Sequence, residues 1–368
     1  MSEWKEDVLG SVLEVKYGKA HKKLENGNIP CFGSGGLMRN VEKYLYRKPS
    51  ILIPRKGSLN NIMFQDKPFW TVDTMFWSKI NEDLVFPKFL FYQLTLIDYT
   101  VLNVGSAVPS LTIPVINGID IKLPPLPEQK AIAEVLSSLD DKIDLLHRQN
   151  KTLEQMAETL YDGWVIESEF NSTVKDLIDI QNGYAFKSKD FQDNGNHRVL
   201  KIKNISGCIV DIQVADFVSD NIASSVDKRF VINTGDILFA MTGAKIGKMG
   251  IIPQTKKSLW LNQRVGLFKE KFIGARFLAY LHLKSDFGID YIENTATGSA
   301  QPNISGTGIE NCEFPKFNEH QLKEYSEQLD LLFSKVIFNL GQIRTLEKIR
   351  DTLLPKLMSG EITIKLDI

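Results

Sequence analysis

The sequence predicts an α+β protein: two pseudo-symmetric mixed α/β domains separated by two long antiparallel coiled-coil helices. Three observations predict it. Two widely separated stretches carry a sustained seven-residue apolar repeat, each follows a stretch rich in short strand patterns, and those two stretches repeat one another in order.

The first helical stretch runs from Pro125 to Trp164. Ile132, Leu139, Leu146, Leu153 and Leu160 recur every seven residues, and Leu136, Ile143, Ala157 and Trp164 fill the adjacent stripe. Such an a/e-type seam marks a helix that supercoils against a partner. Apart from Pro127, which a first turn tolerates, no proline interrupts it, and no glycine precedes Gly163. Glu128 and Glu134 suit its positive amino end. A rod of roughly 50 Å cannot bury its stripe inside one small domain. It needs a second rod.

That second rod spans Glu319 to Lys356. Leu322, Leu329, Val336 and Ile343 form one stripe, and Tyr325, Leu332, Leu346 and Leu353 the other. Asn339 interrupts the second stripe. A polar seam residue fixes register at a cost in stability. Asn339 either does this opposite Asn150 or faces water at a loose point.

The globular stretches match in order. Leu13–Gly18 parallels Ile178–Gly183, and Ser50–Ile53 parallels Asp236–Phe239. Arg55-Lys56-Gly57 lies against Thr242-Gly243-Ala244-Lys245, and Phe69-Trp70 against Leu259-Trp260. The amphipathic Phe89–Leu94 parallels Phe277–His282, and Gly105–Pro109 parallels Gly298–Pro302. Two such units make a pseudo-dimer in one chain, most simply related by a two-fold axis with a domain at each end of paired rods. The aromatic cluster Phe64, Phe69, Trp70, Phe76, Trp77, Phe86, Phe89, Phe91 and Tyr92 reads as a domain core rather than a base-stacking platform.

Composition narrows the class. The net charge is −1 over 368 residues, which by itself predicts no polyanion partner. Three scattered cysteines fit a reducing cytoplasm rather than a disulfide framework. The polar start MSEWKEDVLG is no signal peptide, and no apolar run approaches a membrane span. A soluble cytoplasmic protein is expected.

The stretch LPPLPEQKAIAEVLSSLDDKIDLLHRQNKTLEQMAETLYDGWV (Leu123–Val165) resembles the central helix of the specificity subunit of type I restriction-modification enzymes. GSAVPSLT and TGSAQPNIS resemble the ends of that family's two target-recognition domains, and LEKIRDTLLPKLMSGEI its C-terminal end. The second copy departs from the pattern, with FPKFNEHQL where the first has PPLPEQKAI. The resemblance implies target-recognition domains over residues 1–124 and 166–316, with spacer helices over 125–165 and 317–368. It implies a non-catalytic reader of double-stranded DNA without cofactors, each domain taking one half of an asymmetric, interrupted target. The helices set the gap and carry two methyltransferase subunits, which methylate one adenine per half-site. Motor-nuclease subunits join for cleavage.

Charge distribution supports that reading independently. Residues 43–65 hold Lys43, Arg47, Lys48, Arg55 and Lys56 with no acid. Residues 237–269 hold Lys245, Lys248, Lys256, Lys257, Arg264 and Lys269, again with no acid. Clustered cations supply salt-dependent phosphate affinity. Residues 128–162, with eight acids and four bases, suit a protein partner instead.

Base reading needs Arg or Lys for guanine and Asn or Gln for adenine. Loop candidates in the first domain are Lys19, His21, Lys22, Lys23, Arg39, Asn40, Arg55, Lys56 and Ser58. In the second they are Lys187, Lys189, Lys203, Asn204, Thr242, Lys245, Lys248, Asn262, Gln263 and Arg264. The Gly-Ser-Ala loops add Ser106, Ser110 and Thr112, and Ser299, Gln301 and Asn303. For any one of these, ordinary loop polarity is the stronger reading, so the set and not its members carries the expectation.

Catalytic readings fare worse. Phe32–Gly36 lacks the spacing of a cofactor-binding glycine turn, and the only Pro-Pro precedes leucine. Asp7 with Glu14-Val15-Lys16 forms an acidic-x-Lys group of nuclease type, but Asp179-Ile180-Gln181 in the second copy lacks the lysine. The five histidines do not cluster with each other or with cysteine. GAKIGKMG lacks the P-loop arrangement. The competing class is a coiled-coil adaptor whose domains bind proteins.

Overall fold

The structure, a computed structural model, describes residues 4–105, 107–166, 168–298 and 301–364. The chain divides into two units, residues 1–142 with 346–368, and residues 143–345. Each unit is built on the same frame, whose ten shared strands are labelled here.

In the first unit, β1 (Leu13–Tyr17), β2 (Ile29–Gly33), β3 (Ser50–Pro54), β4 (Trp70–Thr71) and β5 (Met75–Ile80) form two sheets. One runs β1-β5-β3 and then Met63–Gln65, all antiparallel. The other pairs β2 antiparallel with Gly36–Val41 and parallel with β4. In the second unit, β6 (Ile178–Asn182), β7 (His197–Leu200), β8 (Ile237–Ala240), β9 (Ser258–Leu261) and β10 (Val265–Glu270) take the same places. The order β6-β10-β8 is again antiparallel, and β7 pairs parallel with β9.

Helices follow suit. α1 (Pro87–Thr95) and α2 (Ile113–Asn117) lead to α3 (Leu126–Val165); α4 (Ala275–Lys284) and α5 (Gly306–Glu310) lead to α6 (Glu319–Met358). Lys5–Val8 zips antiparallel onto Asp120–Leu123 just ahead of α3, and Ser172–Thr173 onto Glu313–Phe314 just ahead of α6. Both long helices begin within a residue of their expected starts. The entry to α6 explains why FNEHQL works as a start without the PLPEQ pattern. Asn318 Oδ1 accepts from the Gln321 amide while Gln321 Oε1 accepts from the Asn318 amide, a reciprocal cap on two otherwise orphaned donors.

The aromatic cluster is core as expected. Phe69, Phe76, Trp77, Phe89 and Tyr92 are buried, and Phe64, Trp70, Phe86 and Phe91 are half-buried. The first unit's main core also takes Ile132, Ala133 and Leu136 of α3 and Leu357 of α6.

The helix seam follows the heptads, with Asn150 filling the place between Ile143 and Ala157 in the second stripe. Ile132, Leu136, Ile143, Leu146 and Ala157 are buried on α3, while Leu139, Leu153, Leu160 and Trp164 are half-buried. On α6, Leu329, Val336 and Ile343 are buried, and Leu322, Tyr325, Leu332, Leu346 and Leu353 half-buried. In the second unit the helices run in opposite senses, Trp164 stacking on Tyr325 and Asn150 meeting Asn339. The polar interruption is therefore a pair. Asn339 is 0% exposed and Asn150 5%, and the Asn339 Nδ2–H donates to Asn150 Oδ1 at 2.9 Å. In the first unit Asp140 of α3 accepts from Arg350 of α6 at 3.0 Å and from the Tyr92 hydroxyl at 2.6 Å. The heptads do not show that α6 has a second apolar face, where Phe333 stacks on Phe277 of α4.

Candidate nucleic-acid interface

The two units match hydrogen bond by hydrogen bond at one edge of the sheet. Gly18 donates to the Met75 carbonyl, and Lys19 to that of Thr71; in the second unit Tyr184 donates to Leu261. A Cβ on Gly18 would lie 2.0 Å from the Val72 oxygen, and one on Gly183 2.3 Å from the Asn262 oxygen. Both glycines are thus required by a close backbone approach. The loops beyond β3 and β8 pair with the loops that carry the Pro109 and Pro302 turns. Gly57 donates to the Pro109 carbonyl and Gly243 to that of Pro302; Leu111 donates to Arg55 and Ile304 to Met241. Lys56 bridges Ser110, and Thr242 bridges Asn303. Arg55 donates to the Thr74 carbonyl, and Met241 to that of Arg264.

These bonds correct the alignment of Arg55-Lys56-Gly57 with Thr242–Lys245. Gly57 corresponds to Gly243, so Lys56 stands opposite Thr242 and Arg55 opposite Met241. The same frame pairs Tyr17 with Asn182, Asp73 with Gln263, Thr74 with Arg264, Val108 with Gln301 and Ser110 with Asn303.

In the second unit this edge is an open notch of about 430 Å³. Thr242, Gln263, Arg264, Gln301 and Asn303 line it, together with Asn182 and Ser305, which sequence reasoning missed. Asn182 ends β6 and Ser305 caps α5, its hydroxyl accepting from the Gly308 amide. At a strand end and a helix start, neither reads as a loop residue beside a basic run. Asn262 is half-buried beside the notch, bridging Tyr184.

Other candidates are already engaged. Asn204 is corrected outright: it is 0% exposed, its Oδ1 accepts from the Lys201 amide, and its Nδ2 donates to the Asp211 carbonyl. It closes a turn and offers nothing to a base. Lys245 Nζ donates to the carbonyls of Lys203 at 3.2 Å and Ile205 at 2.9 Å. Lys203 pairs with Asp216 at 2.6 Å. Burial alone would raise the Asp216 carboxyl, but the bonds from Lys201 and Lys203 outweigh it and hold the group below its ordinary range. Arg39 donates to the carbonyls of His21 and Leu24, and His21 is half-buried.

Arg55 is half-buried, its guanidinium 5.2 Å from the Tyr17 ring centre and donating to the Asp73 carbonyl at 3.3 Å. Lys19, Lys22, Lys23, Asn40, Lys56, Ser58, Thr112, Lys187, Lys189 and Lys248 are exposed, and Ser110 is half-buried. Ser106 and Ser299 lie outside the described residues.

A family model for the type I restriction modification DNA specificity domain matches this chain twice, over residues 1–155 and 167–323. The chain belongs to that family. Among similar proteins, the type I restriction enzyme MjaVIII specificity subunit of Methanocaldococcus jannaschii is 28% identical over 313 residues, 78% of this chain and 72% of that one. The HindI specificity subunit of Haemophilus influenzae is 21% identical over 466 residues, 98% of this chain and all of that one. The type I restriction-modification S subunit of M. genitalium shares the fold, with a TM-score of 0.68 at 17% identity over 97% of this chain and 96% of that one.

Membership in a DNA-specificity family leaves the adaptor reading without support. In the nuclease-type group, Glu14 is ion-paired with Lys16 and Asp7 with Lys5. Among the described residues, no three His, Cys, Asp or Glu side chains are placed to hold a metal ion, and no helix is long and apolar enough to cross a membrane.

Proposed function

We propose that this specificity-family chain uses this sheet edge in each unit to read one half of an asymmetric, bipartite DNA target. One observation carries the reading: an identical backbone frame holds different side chains in the two units. Residue for residue, the first unit sets Tyr17, Lys56, Asp73, Thr74 and Ser110 where the second sets Asn182, Thr242, Gln263, Arg264 and Asn303. A shared frame supports a shared role, and divergent polar groups support different base preferences. The amide-rich edge of the second unit suits adenine, and the cation- and hydroxyl-bearing edge of the first suits guanine among more permissive contacts. Exposed Lys19, Lys22 and Lys23 in one unit, and Lys187, Lys189 and Lys248 in the other, are assigned to phosphates.

The readers span residues 1–124 and 166–316, and the helices over 125–165 and 317–368 set the gap between half-sites. The chain performs no chemistry. Two methyltransferase subunits dock on the helices, where eight acids against four bases over residues 128–162 repel DNA but suit a protein. Motor-nuclease subunits join this assembly for cleavage.

The test is binding of the full chain, assembled with its methyltransferase subunits, to duplex DNA across a salt series. A steep fall of affinity with salt is expected, with a log–log slope of roughly −0.9 per phosphate contacted. A flat salt dependence, or equal affinity for every sequence, would refute it.

A further inference from the structure

The matching cross-strand pair at this edge carries one arginine in each unit, on opposite members. In the first unit Arg55 bonds Thr74; in the second Met241 bonds Arg264. We propose that each half-site contains one guanine read by this arginine: Arg55, delivered from the β3 side, and Arg264, delivered from the β10 side. The assignment rests on the DNA reading above and adds the residue and the base.

The Arg264 side chain is exposed, lines the notch, and has no hydrogen-bond or ion-pair partner among the described residues. Its guanidinium fork is therefore available to O6 and N7 of guanine. The surroundings favour a base edge over a phosphate. A phosphate site gathers cations, whereas among the described residues no lysine lines this notch and Gln263, Gln301 and Asn303 do. In the first unit, Arg55 is held over the Tyr17 ring while one N–H donates to the Asp73 carbonyl. The remaining donors of its five stay available. The Asp73 carboxylate is exposed, with no partner among the described residues. A carboxylate there would repel a phosphate but accepts from a cytosine amino group, the partner of guanine. Shifting the arginine across one strand pair moves its Cα by about 5 Å, about one and a half base steps of the duplex. The guanine therefore stands at different places in the two half-sites.

The experiment maps modified sites in a randomised duplex library, using the full chain with its methyltransferase subunits, for wild type, Arg55→Gln, Arg264→Gln and Arg264→Lys. Arg264→Gln is expected to relax one guanine in one half-site, a loss of discrimination of roughly 5- to 150-fold. Arg55→Gln should relax one guanine in the other half-site. Lysine, lacking the fork, should restore Arg264 function only in part. If Arg264→Gln weakens binding to all sequences alike and cuts the salt slope by about one, the residue grips a phosphate and the assignment fails. An unchanged target, or both variants altering the same half-site, also overturns it. A wild-type assembly without sequence preference would instead remove the DNA reading beneath it.

Discussion

Replacing the buried amide pair of the helix seam should make the protein more stable and less exact. Asn150 and Asn339 share one hydrogen bond, yet Asn150 Nδ2 and Asn339 Oδ1 are buried with no partner among the described residues. Asn339→Leu alone strands the Asn150 amide, which costs about 1–3 kcal/mol. Burying a leucine offsets this by about 1.5–3 kcal/mol, so the single variant should lie within about 1 kcal/mol of wild type. The double variant Asn150→Leu/Asn339→Leu buries two leucines, about 3–6 kcal/mol. It loses one hydrogen bond, about 1 kcal/mol, and strains the packing by about 1–3 kcal/mol. A net gain of about 2 kcal/mol is expected, at least about 1 kcal/mol beyond the sum of the singles. Chemical denaturation followed by circular dichroism measures this double-mutant cycle. Losing the polar lock should also broaden the spread of accepted gap lengths. A destabilised double variant, or strictly additive singles, would refute the reasoning.

Acid should weaken the second unit through His282. It is 1% exposed, its Nε2–H donating to the Glu313 carbonyl and its Nδ1 accepting from the Tyr161 hydroxyl, so the fold holds it neutral. Burial lowers its pKa from 6.5 to about 4, so its contribution is complete above pH 6.5 and is lost as pH falls toward 4. The loss is about 3 kcal/mol; denaturation across that window measures it, and His282→Gln should flatten the slope. Gly183→Ala forces a Cβ to 2.3 Å from the Asn262 oxygen and should destabilise by about 1–3 kcal/mol. Gly35→Ala, with nothing within 4 Å, should not; thermal melts distinguish them. Inserting four residues within Lys151–Met156 adds about 6 Å of helix. That should lengthen the tolerated gap by one or two base pairs with both half-sites unchanged, read by methylation mapping.

Both long helices were legible because a heptad seam is written in local spacing; the polar break in it marked Asn339 but left open whether it pairs with Asn150 or faces water. The doubling was legible because short motifs such as LEVKYG and IDIQNG mark matching strand ends. The notch was only half legible. Asn182 and Ser305 reach it through cross-strand register, which no local run of charge reveals. Arg55 falls one place from its apparent match because the loop after β3 aligns by a glycine and its hydrogen bond, not by its charges. Asn204 looked like a loop amide, but a turn that bonds residue 201 to residue 204 turns it inward. Phe333 escaped notice because α6 packs on two faces and a single heptad describes one.

The central claim is that one chain carries two separate readers. Its most direct test is modified-base sequencing in cells carrying the methyltransferase subunits, with the native chain or one whose residues 170–315 come from another family member. The account predicts that one half-site changes while the other half-site and the gap stay fixed. A change in both halves, or a single uninterrupted target, would contradict it.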